Sequence, residues 1–506
     1  MSLLSIGIDI GTTSTKAVLF DESGTVRAKA QKAYPLMTPD IDTAEQNPSE
    51  MMEAVEATLK EIIAKSQKIG TLSHIAFSAQ MHSILLVDEA MRPITHSITW
   101  ADNRAKEVVL RLKNDEKGKR LYQNTGTPIH AMSPLCKLIW MKEARQALYA
   151  AAYKVMDIKT YIIYQLTQQC VMDMSIASAT GLFNIHDKKW DDEALKLVGL
   201  NDSHLPEVVP TTHVLSFTNE VCQRFNLTHD IPVIIGASDG VLSNLGVDSY
   251  KQGEVAVTIG TSGAIRTVVK HPILDPKGRT FCYILDDTHY VIGGPVNNGA
   301  ITFQWLRDHV FQMPNHHDSM MTFDEMMALA QKVNPGANGL LFHPYLSGER
   351  APIWSSEVRG SFIGLTLAHH QGHMIRAVLE GVLFNLYSVL LVLVEMTGRR
   401  PHKIKATGGF SKSVLWRQLM ADIFDCHVEI PKSYESSCLG AVALGFKALG
   451  HPKAYCHISE WIGRTYYHEP NEEVVLQYQK LSSIFVETRQ QLMRTYKSIA
   501  TYENEK

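Results

Sequence analysis

Gly7-Ile8-Asp9-Ile10-Gly11-Thr12-Thr13-Ser14-Thr15-Lys16-Ala17-Val18 decides the reading of this chain, because a variation returns at Val257-Thr258-Ile259-Gly260-Thr261-Ser262-Gly263-Ala264-Ile265. Each stretch reads as an apolar strand, a Gly-Thr turn rich in hydroxyls and a second apolar strand. Such a turn aims backbone N–H groups and hydroxyls at phosphate oxygens. One turn per half of the chain predicts two similar domains gripping a single nucleotide.

Outward from the first stretch, a hairpin signal at Asp21-Glu22-Ser23-Gly24 precedes a strand at 25–33, and Pro48-Ser49-Glu50 opens an amphipathic helix to about 66. Strands follow at 74–78 and 83–88, helices at 137–151 and 158–166, and a short apolar strand at 231–237 ends at Ser238-Asp239-Gly240. The second half repeats the order: strands at 255–268, 281–285 and 290–293, then helices at 299–311, 373–395 and 413–424, with a strand at 404–407. Strands first and helices after, twice over, predict two α/β domains with mixed sheets, divided as 1–246 and 247–506, with a final helix at about 472–499.

The 506 residues exceed one ordinary core. With 49 Lys+Arg against 52 Asp+Glu the net charge is −3, and no basic block points to nucleic acid. The first residues carry no basic leader, and the longest apolar run, 381–394, is short for a membrane span, which needs roughly 20 residues. Seven scattered cysteines without a Cys-x-x-Cys read as reduced thiols. Together these predict a cytoplasmic protein without a membrane or nucleic-acid partner.

Asp9, at a strand end beside the hydroxyl turn, suits Mg²⁺ held against phosphates, or a turn cap. Thr12, Thr13, Ser14 and Lys16, with Gly260, Thr261 and Ser262, suit phosphate oxygens. Asp239, at another strand end, suits the acceptance of a hydroxyl proton in phosphoryl transfer, or the capping of a helix. Gly408-Gly409 before Ser413 lets backbone approach a flat ligand at a helix N-terminus. Gln80-Met81-His82 and Trp100 with Arg104 suit a polyol, with His130, Met132 and Lys159 as further candidates. No P-loop and no dinucleotide fingerprint is present. His369-His370-Gln371-Gly372-His373 reads as a helix start rather than a metal site, and Tyr345–Pro352 as either a substrate loop or a structural one.

Asp9–Lys16, Gln80–His82, Trp100–Arg104, Gly260–Gly263, Pro344–Pro352 and Gly408–Asp422 together resemble the FGGY carbohydrate kinases, in the family's order and over nearly the whole chain. The resemblance implies two actin-like, ribonuclease-H-like domains around an ATP cleft, with ATP and Mg²⁺ as cofactors. It implies Asp239 as catalytic base, Asp9 as the Mg²⁺-associated carboxylate, and Ala300, Gln304, Gly409 and Ser413 at the ADP. Pro39–Pro48, Thr125–His130, Gly236–Gly246 and Gly293–Gly299 resemble the gluconate-phosphorylating members, which implies conversion of D-gluconate to 6-phospho-D-gluconate. Met81, His82 and Met132 stand where glycerol-phosphorylating members have Arg, Glu and Tyr, which argues against glycerol. Gly240 replaces a Gln common in the family. A ketopentose such as xylulose or ribulose is the alternative acceptor; an ATP-binding actin-like or chaperone-like regulator is the alternative of another class. Family members often form homodimers, though no stripe here marks an interface.

Overall fold

The computed structural model describes residues 2–113, 115–227, 230–311, 321–431, 435–451 and 455–504. The chain forms two compact units: residues 1–250, 268–292 and 435–463 make the first, and residues 251–267, 293–434 and 464–506 the second. The units follow packing rather than a single cut near 246, because the chain returns to the first unit twice.

In the first unit β1 (Ser2–Ile10) and β2 (Ser14–Asp21) form an antiparallel hairpin, joined by β3 (Val26–Ala33). β4 (Gly70–Ala79) lies parallel to β1 on its other side, and beyond it come β6 (Val233–Ser238), parallel to β4, and the short β5 (Val214–Leu215). The order is β5-β6-β4-β1-β2-β3. Both faces are covered, so the central strands read as near-continuous apolar runs. Leu4, Ile6, Ile8 and Ile10 of β1 bury against the Pro48–Ser66 helix, through its Met51, Val55, Leu59 and Ile62. Each such side chain contributes roughly 1.5–3 kcal/mol of hydrophobic stabilisation. Asn47 caps that helix, and Pro48 occupies its first turn, where no N–H is needed.

The opposite face is covered by the helices Asp239–Gly246 and Ser436–Ala448. The second arrives from nearly two hundred residues downstream. It seats closely because glycines remove side chains at the crossings. A Cβ on Gly7 would lie 2.3 Å from the Cys438 carbonyl oxygen, one on Gly246 1.9 Å from that of Ser436, and one on Gly440 2.0 Å from that of Leu242.

The second unit repeats the plan. β7 (Glu254–Ile259) and β8 (Gly263–Val269) form the hairpin, β9 (Lys403–Thr407) lies parallel to β7, and β10 (His427–Pro431) lies parallel to β9. β11 (Arg464–His468) closes the edge antiparallel to β10. The helix Gln371–Thr397 is long and apolar enough to span a membrane, yet 89% of its most apolar window is buried in the fold. Its N-terminus is capped by His370, whose ring accepts from the Gly372 N–H, while the His373 ring accepts from the His370 N–H. The histidine cluster is thus a helix start, as its sequence suggests.

Two expected helices differ in detail. The expected 137–151 segment begins earlier and breaks at Arg145 into Pro134–Ala144 and Gln146–Ala150. The expected 299–311 segment is a short helix, Ile301–Trp305, running into a wider π-turn, Leu306–Val310.

Candidate active site

In the first unit β1, β4 and β6 run parallel, so their C-terminal ends share one sheet edge, where α/β folds keep their chemistry. That edge collects Asp9 and the turn after it, Gln80–His82 after β4, and Asp239 after β6.

Asp9 pairs in register with Ser78, and the Ser78 hydroxyl donates to its Oδ1 at 2.7 Å. Desolvation pushes the Asp9 carboxyl above the usual carboxylate range, against the Ser78 hydrogen bond and the Lys16 charge, which pull it down. Lys16 Nζ meets Glu435 Oε2 at 2.9 Å, and Lys29 Nζ meets the other oxygen at 2.7 Å. Glu435 immediately precedes the Ser436–Ala448 helix, so the start of that helix is tied to Lys16 just after the Gly11–Ser14 turn. Ser436 Oγ also lies 2.8 Å from Ser243 Oγ, one turn after Asp239.

Thr12 is tied to the polyol candidates. Its hydroxyl accepts from Trp100 Nε1 at 3.0 Å and donates to Gln80 Oε1 at 3.1 Å. Gln80 Nε2 donates to Gln46 Oε1 at 2.6 Å, and Gln46 donates to the Thr12 carbonyl at 2.5 Å. The Thr12 side chain thus belongs to a network with Gln80 and Trp100. Thr13 is exposed, and the Ser14 hydroxyl accepts from Gln31.

β6 reaches Asp239 through an irregularity. Gly236 has φ +73°, and a Cβ there would sit 1.7 Å from the Phe77 carbonyl oxygen, which re-aims the strand end. Ser175 then holds Ser238 by hydroxyl and backbone contacts at 3.1 and 3.2 Å. Asp239 is half-buried, opens the Asp239–Gly246 helix, and accepts from the Gly240 N–H at 2.6 Å.

Arg104, Lys159 and His82, three of the polyol candidates, each have protein partners. Arg104 donates to Asp102 at 2.9 and 3.1 Å and to Glu45 at 2.5 Å, with its guanidinium 4.6 Å from the Trp140 ring centre. Lys159 is buried, paired with Asp173 at 2.8 Å, and donates to the Ala237 carbonyl at 3.1 Å. It supports the strand that ends beside Asp239. His82, at φ +66°, has Nδ1 2.7 Å from the Ala179 carbonyl and Nε2 3.3 Å from the Tyr283 hydroxyl. Met81 is half-buried, Met132 is core, and His130 Nδ1 accepts from the Met132 N–H at 3.1 Å, shaping its own turn.

In the second unit β7, β9 and β10 give the equivalent edge. The turn Gly260–Ser262 packs on the segment 299–301: the Ala300 N–H donates to the Gly260 carbonyl at 2.7 Å, and the Gly299 and Ile301 N–H groups donate to the Thr261 carbonyl at 3.1 and 3.2 Å. A Cβ on Gly299 would lie 2.5–2.6 Å from the Ser262 and Gly260 carbonyl oxygens. Thr261 and Gln304 are exposed. Gly408, at φ +109°, approaches Ile259 so closely that a Cβ would sit 2.2 Å from its carbonyl oxygen, while a Cβ on Gly409 or Gly260 would meet nothing within 4 Å. Ser413 caps the Val414–Phe424 helix by accepting from the Trp416 N–H. In the 345–352 loop, buried Glu349 accepts from Asn298 and Asn385 side chains at 3.0 and 2.8 Å and from the Asn297 N–H at 2.5 Å, bracing the segment before Gly299.

The model of the FGGY carbohydrate kinase N-terminal domain matches residues 4–246, and that of the C-terminal domain matches 255–449. The chain belongs to the FGGY family of carbohydrate kinases. Within this family, a Bacillus subtilis (strain 168) protein named gluconokinase is 48% identical over 507 residues, covering 99% of each chain. The structure described as gluconate kinase from Lactobacillus acidophilus aligns with a TM-score of 0.93 and 38% identity, over 99% of this chain and 100% of that one. Another from the same organism, described as ligand-bound xylulose kinase, aligns with a TM-score of 0.92 and 38% identity, over 98% and 100%. The two actin-like α/β units are those of an FGGY kinase.

Sequence reasoning missed three residues in this FGGY chain. Glu435 and Tyr283 lie far along the chain from the groups they touch, Lys16 and His82, and no local pattern signals either contact. Lys137 is the third: it sits in an apolar helix start, where a lysine reads as a solvated exception.

Proposed function

We propose that this FGGY kinase transfers the γ-phosphoryl group of ATP to the 6-hydroxyl of D-gluconate, giving 6-phospho-D-gluconate and ADP. The observation that carries the substrate is the 48% identity with the Bacillus subtilis gluconokinase along 99% of both chains. Asp239 is the general base. Its carboxylate takes the proton of the acceptor hydroxyl as the new P–O bond forms. Ser175 and Lys159 hold the strand end that aims it, through Ser238 and the Ala237 carbonyl.

Asp9 fits Mg²⁺. It is a hard oxygen donor that burial leaves reluctant to carry its charge without a cation, and Mg²⁺ is usually held by one or two carboxylates plus phosphates and water. The bound ion would neutralise charge on the phosphates. Lys16, Thr13, Ser14 and the Gly260-Thr261-Ser262 turn donate to phosphate oxygens, while Ala300, Gln304, Gly408, Gly409 and Ser413 take the nucleoside side. Gln80, Trp100 and the segments at 81–82 and 130–132 surround the polyol, with Thr12 in their network.

A ketopentose acceptor is the second reading, favoured by the 38% identity with the structure described as xylulose kinase. An ADP-release assay over gluconate, xylulose, ribulose and glycerol decides. Gluconate is expected to give the highest kcat/KM; a higher value for xylulose overturns the substrate assignment. Tight ATP binding with no turnover on any of the four would favour a regulator. Asp239→Asn is expected to lower kcat by about 10²–10⁴-fold, with ATP affinity little changed.

A further inference from the structure

Lys137 is fully buried, and no role described so far uses it. It lies in the first turn of the Pro134–Ala144 helix, where Ser133 caps and Pro134 starts the helix. Its Nζ donates to the carbonyl of His82 at 2.8 Å and to that of Met132 at 2.7 Å. Those carbonyls belong to two segments 50 residues apart in sequence, both among the candidates for the polyol site. The first is held in an unusual shape, since His82 has φ +66°. Such a backbone persists only where its surroundings over-determine it. The Ala179 carbonyl, the Tyr283 hydroxyl and Lys137 are three restraints that do so.

The setting is costly for a lysine. Desolvation drives the amine down to about 7, against the charge of Asp102, which favours the ammonium, while Arg104 opposes it. A methionine would fill the same volume without that cost. The buried donor therefore serves its two acceptors rather than general stability.

We propose that Lys137 is a positioning residue for the sugar side of the site, tying the His82 and Met132 carbonyls so that the 80–82 and 130–132 segments face one substrate in fixed register. This rests on the functional reading above. The single nitrogen has bonds short enough to fix the separation of the two loops. A misplacement of about 1 Å in substrate-positioning groups can cost on the order of 10²-fold in rate.

The test replaces Lys137 by methionine, which keeps the stem and removes the donor. With whichever of the four acceptors the unaltered enzyme phosphorylates best, Lys137→Met is expected to raise the sugar KM at least tenfold and leave the ATP KM within about twofold. In the ligand-free protein, amide exchange at 80–84 and 130–134 is expected to quicken, with β1 unchanged. This second arm needs no substrate, so it reads the tie even if the enzyme turns over none of the four acceptors. If Lys137→Met does not fold, Lys137→Gln, which keeps a shorter donor, carries both measurements. Unchanged sugar KM and unchanged exchange overturn the proposal. So does an equal rise in both KM values, which would mark general loosening.

Discussion

Two places before its turn glycine the first unit has Asp9, and the second has Thr258. The positions correspond strand for strand: Asp9 pairs with Ser78 across β1 and β4, and Thr258 with Thr407 across β7 and β9. In the first unit the pair is a carboxylate accepting from a hydroxyl at 2.7 Å; in the second it is two hydroxyls at 3.2 Å. The next positions diverge further. After Ser78 the chain places Gln80 in a side-chain network, whereas after Thr407 it places Gly408 and Gly409. One topology therefore yields two sites of opposite character. The first is crowded with charge and hydrogen-bonding side chains; the second presents bare backbone. A shared sheet edge supplies the location, and three or four side chains decide the chemistry.

Exchanging the signature residue should break the comparison most strongly. Asp9→Thr writes the second turn's residue into the first and removes its only carboxylate. A loss of about 10²–10³-fold in kcat is expected, since groups that stabilise transferred charge are worth that much. Steady-state kinetics at saturating ATP checks it, and near-normal turnover would mean the two turns are interchangeable.

His74 tests how far the charged turn depends on the helix behind it. Its ring lies under Gly445 and meets the Val442 carbonyl at 3.1 Å, and burial lowers its pKa to about 4. The unfolded histidine titrates near 6.5, so between the two values the unfolded chain binds more protons. Stability is therefore fully present above about pH 6.5 and falls as pH drops toward 4, by up to about 3 kcal/mol. Denaturant titrations of wild type and His74→Asn near neutrality and at about pH 5 should show a smaller loss on acidification in the variant.

Gly408→Ala probes the bare turn. The positive φ and the 2.2 Å approach to the Ile259 carbonyl leave no room for a methyl group. A destabilisation of about 1–3 kcal/mol is expected, read as a lower melting temperature. Gly409→Ala, with open space around it, should leave stability nearly unchanged and act on ATP affinity instead.

The repeat itself was legible in sequence because strand alternation and Gly-Thr turns are local signals. β1, β2, β7 and β8, the strand ends at Asp9 and Asp239, and the start of the Gln371–Thr397 helix all follow from short-range pattern. What escaped is what depends on distance along the chain. The Ser436–Ala448 helix is rich in Gly, Ala and Ser and shows no polar stripe, because it is buried on most sides. The ion pairs of Lys159 with Asp173 and of Arg104 with Glu45 escaped because the partners lie in other segments. The bond from Trp100 to Thr12 escaped because nothing near Thr12 in sequence announces it. Lys137 was passed over for another reason, since a cation in an apolar run reads as noise until its two carbonyls are seen.

The late arrival of Glu435–Gly463 in the first unit has a bearing on synthesis. Until the ribosome has released those residues, the face of the first sheet that carries Gly7 has the Asp239–Gly246 helix on it but lacks the Ser436–Ala448 helix that completes its cover. Complete burial of that face waits for almost the entire polypeptide. A fragment stopping near residue 246 should emerge sticky and in need of chaperones, however complete its strands.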